Sequence, residues 1–156
     1  MKKIIFIFLI LCLGIARGIY GIKHIEVQKT AYAVQNKERQ NMNIQIGNKI
    51  FDVILEDNET TRVLIHKLPI VINMSELNGN EKYYYLPDRL PAEPKNIGNI
   101  KAGDVMLFGD NCLVIFYQNF KTSYRYTRIG HIENCTNLDN LLGNTSVKVI
   151  FKITEE

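Results

Sequence analysis

Residues 50–70 read IFDVILEDNETTRVLIHKLPI. Ile50 to Leu55 is an apolar run broken only by Asp52, which predicts a strand. Asp57 or Asn58 then supplies a short polar side chain that can accept a hydrogen bond from the first turn of a helix. Glu59 adds an acid where the helix dipole favours one. Leu64, Ile65 and Leu68 recur on one helical face beside Thr61, so a helix over Glu59–Leu68 is expected. Pro69 has no N–H to continue it. Ile70-Val71-Ile72 starts a new strand.

A second unit of the same kind lies near the C-terminus. Residues 126–143, YTRIGHIENCTNLDNLLG, read as a strand, a loop, a short helix over Asn137–Leu142 and a stop at Gly143. Between and around the two units the pattern is one of short strands and turns. Asn43-Ile44-Gln45-Ile46 alternates, Gly47-Asn48 follows, and the next alternating run begins at Lys49, which predicts a β-hairpin. Asn78-Gly79-Asn80 marks a turn before a strand containing Tyr83, Tyr84 and Tyr85. Pro87, Pro91 and Pro94 punctuate a loop running to about Ile100, and Lys101 to Asp104 is a further turn. Val105–Phe108 and Cys112–Tyr117 are strands joined by Gly109-Asp110-Asn111, and Val147–Ile153 ends the domain. About eight short strands with two short helices predict a mainly β domain closed into a barrel.

These segments carry a family resemblance. The strand–cap–helix–proline unit and the strand–glycine–loop–helix unit resemble the opening and closing parts of the cyclophilin fold. MSELNGNEKYYYLP, AGDVMLFGDNCLVIFYQNF and TSYRYTRIGHI look like the small bacterial cyclophilin-like domain proteins, usually described as of unknown function. The resemblance covers residues 42–154 and implies a cyclophilin-like closed barrel of about eight strands and two short helices. Cyclophilins that isomerise prolyl bonds carry a strand resembling Phe-His-Arg followed by a glutamine. Their arginine polarises the amide carbonyl and so lowers a rotation barrier of about 18–20 kcal/mol. The matching segment here, ELNGNEKYYYLP, has no arginine, histidine or glutamine.

Ahead of the domain, Met1-Lys2-Lys3 is basic, Ile4 to Leu13 is uncharged and apolar, and Gly14 to Gly18 supplies small residues. That order predicts a signal peptide over residues 1–18, cleaved after Gly18 or Ala16, and an exported protein. The apolar run is too short for a stable membrane span, which takes about 20 residues. Residues 19–41 are mixed and polar and read as a tether. Removing Lys2, Lys3 and Arg17 from the 19 Lys+Arg leaves 16 against 16 Asp+Glu, so the mature chain is neutral. No basic cluster remains to mark a nucleic-acid partner. Cys112 and Cys135 can pair in an oxidising compartment or stay free, and Cys112, opening an apolar run, reads as a buried free thiol. No spacing of Cys and His suits a metal, and no cofactor is expected.

The tyrosines are the most unusual feature. Three in a row on a strand cannot share a face, and Tyr124 and Tyr126 lie on one face of another. They either line a pocket, apolar in body with hydroxyls to orient a ligand, or cover a half-buried sheet. On the first reading Met74, Tyr83, Tyr85, Phe108, Phe116, Tyr124, Tyr126 and Arg128 line a concave aromatic face. Arg128 either stands in for the absent cyclophilin arginine or is a solvated charge on the outer wall. Arg62, Arg89, His66 and His131 read as surface or edge residues, and Asp104 and Asp110 as turn residues. Ser75 and Ser123 lack a nucleophile-elbow motif. The expectation is a monomeric binding domain for an unknown small molecule or peptide. The alternative is a divergent prolyl isomerase acting on exported proteins.

Overall fold

A computed structural model describes residues 41–154. The signal and tether expectations, over residues 1–18 and most of 19–41, lie outside the described residues. Among them the strands are β1 (Met42–Ile46), β2 (Lys49–Leu55), β3 (Ile70–Leu77), β4 (Glu81–Tyr85), β5 (Lys95–Asn96), β6 (Asn99–Ile100), β7 (Asp104–Phe108), β8 (Cys112–Phe116), β9 (Phe120–Lys121), β10 (Arg125–Ile132) and β11 (Val147–Ile153). Two helices join them, α1 (Glu59–Ile65) and α2 (Leu138–Leu142).

Eight strands pair antiparallel in the order β2-β1-β11-β3-β4-β8-β7-β10, and β10 pairs back onto β2. The expected closed barrel is therefore present. Three two-residue strands stand outside the ring: β5 pairs with the start of β10, and β6 pairs with β9.

Period-two alternation separates two cores. Leu113 and Ile115 of β8 join Ile44, Ile72, Val149 and Phe151 in the barrel interior, to which the helices add Leu64, Leu138 and Leu142. The intervening Cys112, Val114 and Phe116 belong to a second, outer cluster with Met106, Tyr126 and Ile100. Both sides of β7 and β8 are thus covered, which is why these strands read as unbroken apolar runs rather than alternating ones.

Asn58, not Asp57, caps α1: its Oδ1 accepts the Thr61 N–H at 2.9 Å, and its Nδ2 donates to the Arg128 carbonyl at 2.8 Å. One side chain thus both starts the helix and ties it to β10. The helix ends at Ile65, short of the expected Leu68. The Lys67 and Leu68 N–H groups bond back to the Leu64 and Ile65 carbonyls in a tight turn. A residue preceding proline is forced out of the helical region, so the chain leaves the helix before Pro69 rather than at it.

Candidate functional site

The site is built on the outer wall formed by β4, β8, β7 and β10. Cross-strand registers arrange its outward side chains in rows. Tyr83, Val114, Met106 and Arg128 form one row, and Tyr85, Cys112 and Phe108 the next. Phe108 continues the second row by packing against Tyr124 and Tyr126, with ring centroids 5.9 and 5.5 Å away. Tyr83 meets Tyr85 edge-on at 5.8 Å.

The two ends of this wall differ. At one end Phe116 is fully buried, packed at 5.4 Å on Tyr126 and at 5.6 Å on Phe120. Phe120 and Ile100 come from the β9–β6 ribbon, which covers that end. At the other end Tyr85, Phe108 and Tyr124 are 60, 43 and 64% exposed. Phe108 and Tyr124 are held against each other and Tyr85 against Tyr83, yet all three face solvent. Scattered exposed aromatics are ordinary, but a contiguous ring cluster on a buried aromatic base is a ready contact surface.

Seven of the eight residues named from sequence share this wall. Tyr83, Tyr85, Phe108, Phe116, Tyr124, Tyr126 and Arg128 all lie on it. Met74 does not: it is fully buried in the barrel interior, because Ser75, not Met74, is the partner of Tyr83 across the β3–β4 ladder. The aromatic face is the barrel's outer surface rather than a cavity within it. Arg128 is 40% exposed, its guanidinium held only loosely, 3.7 Å from Asp104. It borders a cavity of about 300 Å³ together with Tyr126, Asn58 and Lys95.

Two further features were not read from sequence. Lys82, between Glu81 and Tyr83, points into the barrel and is fully buried. Its ammonium donates to the Gly143 and Thr145 carbonyls at 2.8 and 2.9 Å and lies 5.4 Å from the Tyr117 ring centroid. Asp104 is more than a turn residue. Its Oδ2 accepts the Lys101 N–H at 2.9 Å, and its Oδ1 accepts from His131 Nδ1 at 3.0 Å. An oriented imidazole of this kind suits a general base. Among the described residues no hydroxyl or thiol is hydrogen-bonded to it; the nearby Cys135 thiol donates instead to the Ala102 carbonyl at 3.5 Å. Cys112 and Cys135 are both free thiols, and Cys112 is buried as expected.

Burial sets the titration of the wall. It pushes the Cys112 thiol up to about 11 and the Tyr126 phenol up to about 12, with the Glu81 charge adding to both. Tyr117, buried and bonded to Glu76, is also pushed up to about 12. Each group keeps its proton in the folded chain over a range where the unfolded chain has lost it. The folded state then binds more protons, so stability falls as pH rises. Burial lowers the Lys82 ammonium and gives a contribution of opposite sign. With three groups against one, the denaturation midpoint is expected to fall from about pH 9 upward. Urea titrations at pH 8, 9, 10 and 11 check this, and a flat profile would contradict it.

A sequence profile described as the Cyclophilin-like family matches residues 44–153. The chain belongs to that family. Among solved structures, the solution structure of the hypothetical protein AF2241 from Archaeoglobus fulgidus is similar, with a TM-score of 0.52 and 16% identity over 76% of this chain and 99% of that one. This likeness supports the fold alone. No protein of curated function matches the sequence. In this cyclophilin-like domain, among the described residues, no group of three or more His, Cys, Asp or Glu side chains could hold a metal ion. No helix among them is long and apolar enough to cross a membrane.

Proposed function

We propose that this cyclophilin-like domain binds an extended peptide segment on its outer aromatic wall, without catalysis, after export and removal of residues 1–18. The supporting observation is the set of exposed rings of Tyr85, packed on Tyr83, and of Phe108 and Tyr124, packed on each other, beside a buried aromatic base. Small-molecule sites are concave and cover most of their ligand. Here the exposed rings of Tyr85, Phe108 and Tyr124 stand at one end of the half-buried β4 face that carries Tyr83 and Glu81. From Tyr85 to Glu81 that face runs roughly 13 Å, which matches about four residues of extended chain.

Because the three rings are exposed, replacing them is expected to change stability by under about 0.5 kcal/mol each. Replacing contact aromatics typically weakens binding by about tenfold or more. The test is fluorescence anisotropy with labelled Phe-Pro-Ala-Ala peptides on the wild type and the Tyr85→Ala/Phe108→Ala/Tyr124→Ala protein. Loss of binding with unchanged circular dichroism is the expected result. Equal binding by both proteins would remove the basis of the reading.

One observation favours a catalytic alternative. Arg128 borders the same cavity as Tyr126 and keeps a weakly engaged guanidinium, the group that a prolyl isomerase directs at an amide oxygen. An isomerisation assay on a proline tetrapeptide separates the two readings: the binding reading expects no acceleration, and the alternative expects acceleration abolished by Arg128→Ala.

A further inference from the structure

Glu81 is the one acidic side chain that β4 presents on the same side as Tyr83 and Tyr85. It stands opposite Phe116 in the ladder, at the end of the wall that the β9–β6 ribbon covers, yet is itself only half-buried. Two other acids near the wall and the buried ammonium are engaged: Asp104 holds His131, Glu76 accepts from the Tyr117 hydroxyl, and Lys82 bonds two carbonyls inside the barrel. Glu81 has no hydrogen-bond or ion-pair partner among the described residues. Nothing around it favours its charge, since burial and then the Glu76 carboxylate both push its acid upward. A partly desolvated carboxylate without a counter-charge costs folding stability at neutral pH. Such a cost is typical of groups retained for binding.

We propose that Glu81 is a subsite for a cationic side chain, lysine or arginine, of the extended peptide bound on the aromatic wall. The inference rests on the peptide-binding reading and adds charge to it. Tyr85, Tyr83 and Glu81 are spaced two residues apart along one strand face, so the ring of Tyr85 and the carboxylate stand roughly 13 Å apart at 3.3 Å per residue. An extended peptide with an apolar anchor on the exposed rings therefore brings its fourth residue beyond the anchor to Glu81. The stem of that residue packs along Tyr83, and its charged head meets the carboxylate.

The test uses labelled Phe-Pro-Ala-Ala-Lys and the same peptide ending in norleucine, which keeps the stem and removes the charge. The wild type is expected to bind the lysine peptide about tenfold more tightly, as charge-assisted hydrogen bonds permit. Glu81→Gln should erase that difference, leave the norleucine peptide bound as before, and raise the thermal midpoint. A lower midpoint would mark Glu81 as structural and overturn the subsite. Equal binding of the two peptides by the wild type, lost in the triple aromatic variant, would overturn the subsite while leaving the peptide reading intact. Binding of neither would overturn both. Displacement of the peptide by butylamine at equal concentration would assign the site to small amines instead.

Discussion

Gly130→Ala is expected to lose about 3 kcal/mol or more of folding stability, the upper part of the range for overpacking. Gly130 lies where β10 turns from β7 to β2, next to the register shift that follows Arg128. A Cβ there would sit 2.5 Å from the Ile54 carbonyl oxygen and 2.8 Å from Val53 Cγ1. The first obstacle is backbone of the partner strand and cannot rotate aside. The methyl can be accommodated only by parting β10 from β2, which is the pairing that closes the ring. Gly79→Ala is the matched control. Gly79 has φ +69 in the β3–β4 turn, yet nothing lies within 4 Å of the added atom. That variant suffers only backbone strain, about 1 kcal/mol. Urea denaturation of both proteins compares them directly. Equal losses would show that β2 and β10 are not held as tightly as the geometry requires.

Lys82 gives the second large effect. Lys82→Ala removes a fully buried stem and the ammonium that holds the Gly143 and Thr145 carbonyls to β4. The vacated space and the two lost bonds together cost about 3 kcal/mol. Lys82→Met keeps most of the volume and removes the desolvated charge, so about 1 kcal/mol is expected from the carbonyls alone. If Lys82→Met were more stable than the wild type, the ammonium would be a net burden on the fold, as some buried charges are. Chemical denaturation at pH 7 resolves the order Ala, Met, Lys.

Lys82 also shows where sequence reading stops. The strand carrying Tyr83, Tyr84 and Tyr85 is legible because its length and aromatic content suit a sheet. Its parity is legible too, since Tyr84 must face away from its neighbours. Which parity faces the interior depends on the pairing of Tyr83 with Val114, a contact between residues far apart in the chain, as well as on the β3–β4 hairpin that pairs it with Ser75. That register puts a lysine inside, against the usual rule for charges, and a glutamate outside. The same register removes Met74 from the wall. The barrel itself is legible from turns and short apolar runs, and the cap at Asn58 is narrowed to one of two neighbours. β5, β6 and β9 are two residues each, too short for any periodicity to reveal, yet Ile100 and Phe120 from two of them cover one end of the aromatic face. The Asp104–His131 pair stayed hidden because the aspartate also makes a turn bond, and its partner is 27 residues away.

Amide NMR of the purified protein titrated with Phe-Pro-Ala-Ala-Lys asks whether the outer aromatic wall is a peptide-binding surface. Saturable shifts are expected along one wall, at Tyr83, Tyr85, Phe108, Tyr124 and Tyr126, with smaller changes at Ile72 and Val149 across the barrel. Shifts centred instead on the depression beside Lys101, Lys121 and Cys135, or no saturable shifts, would contradict it.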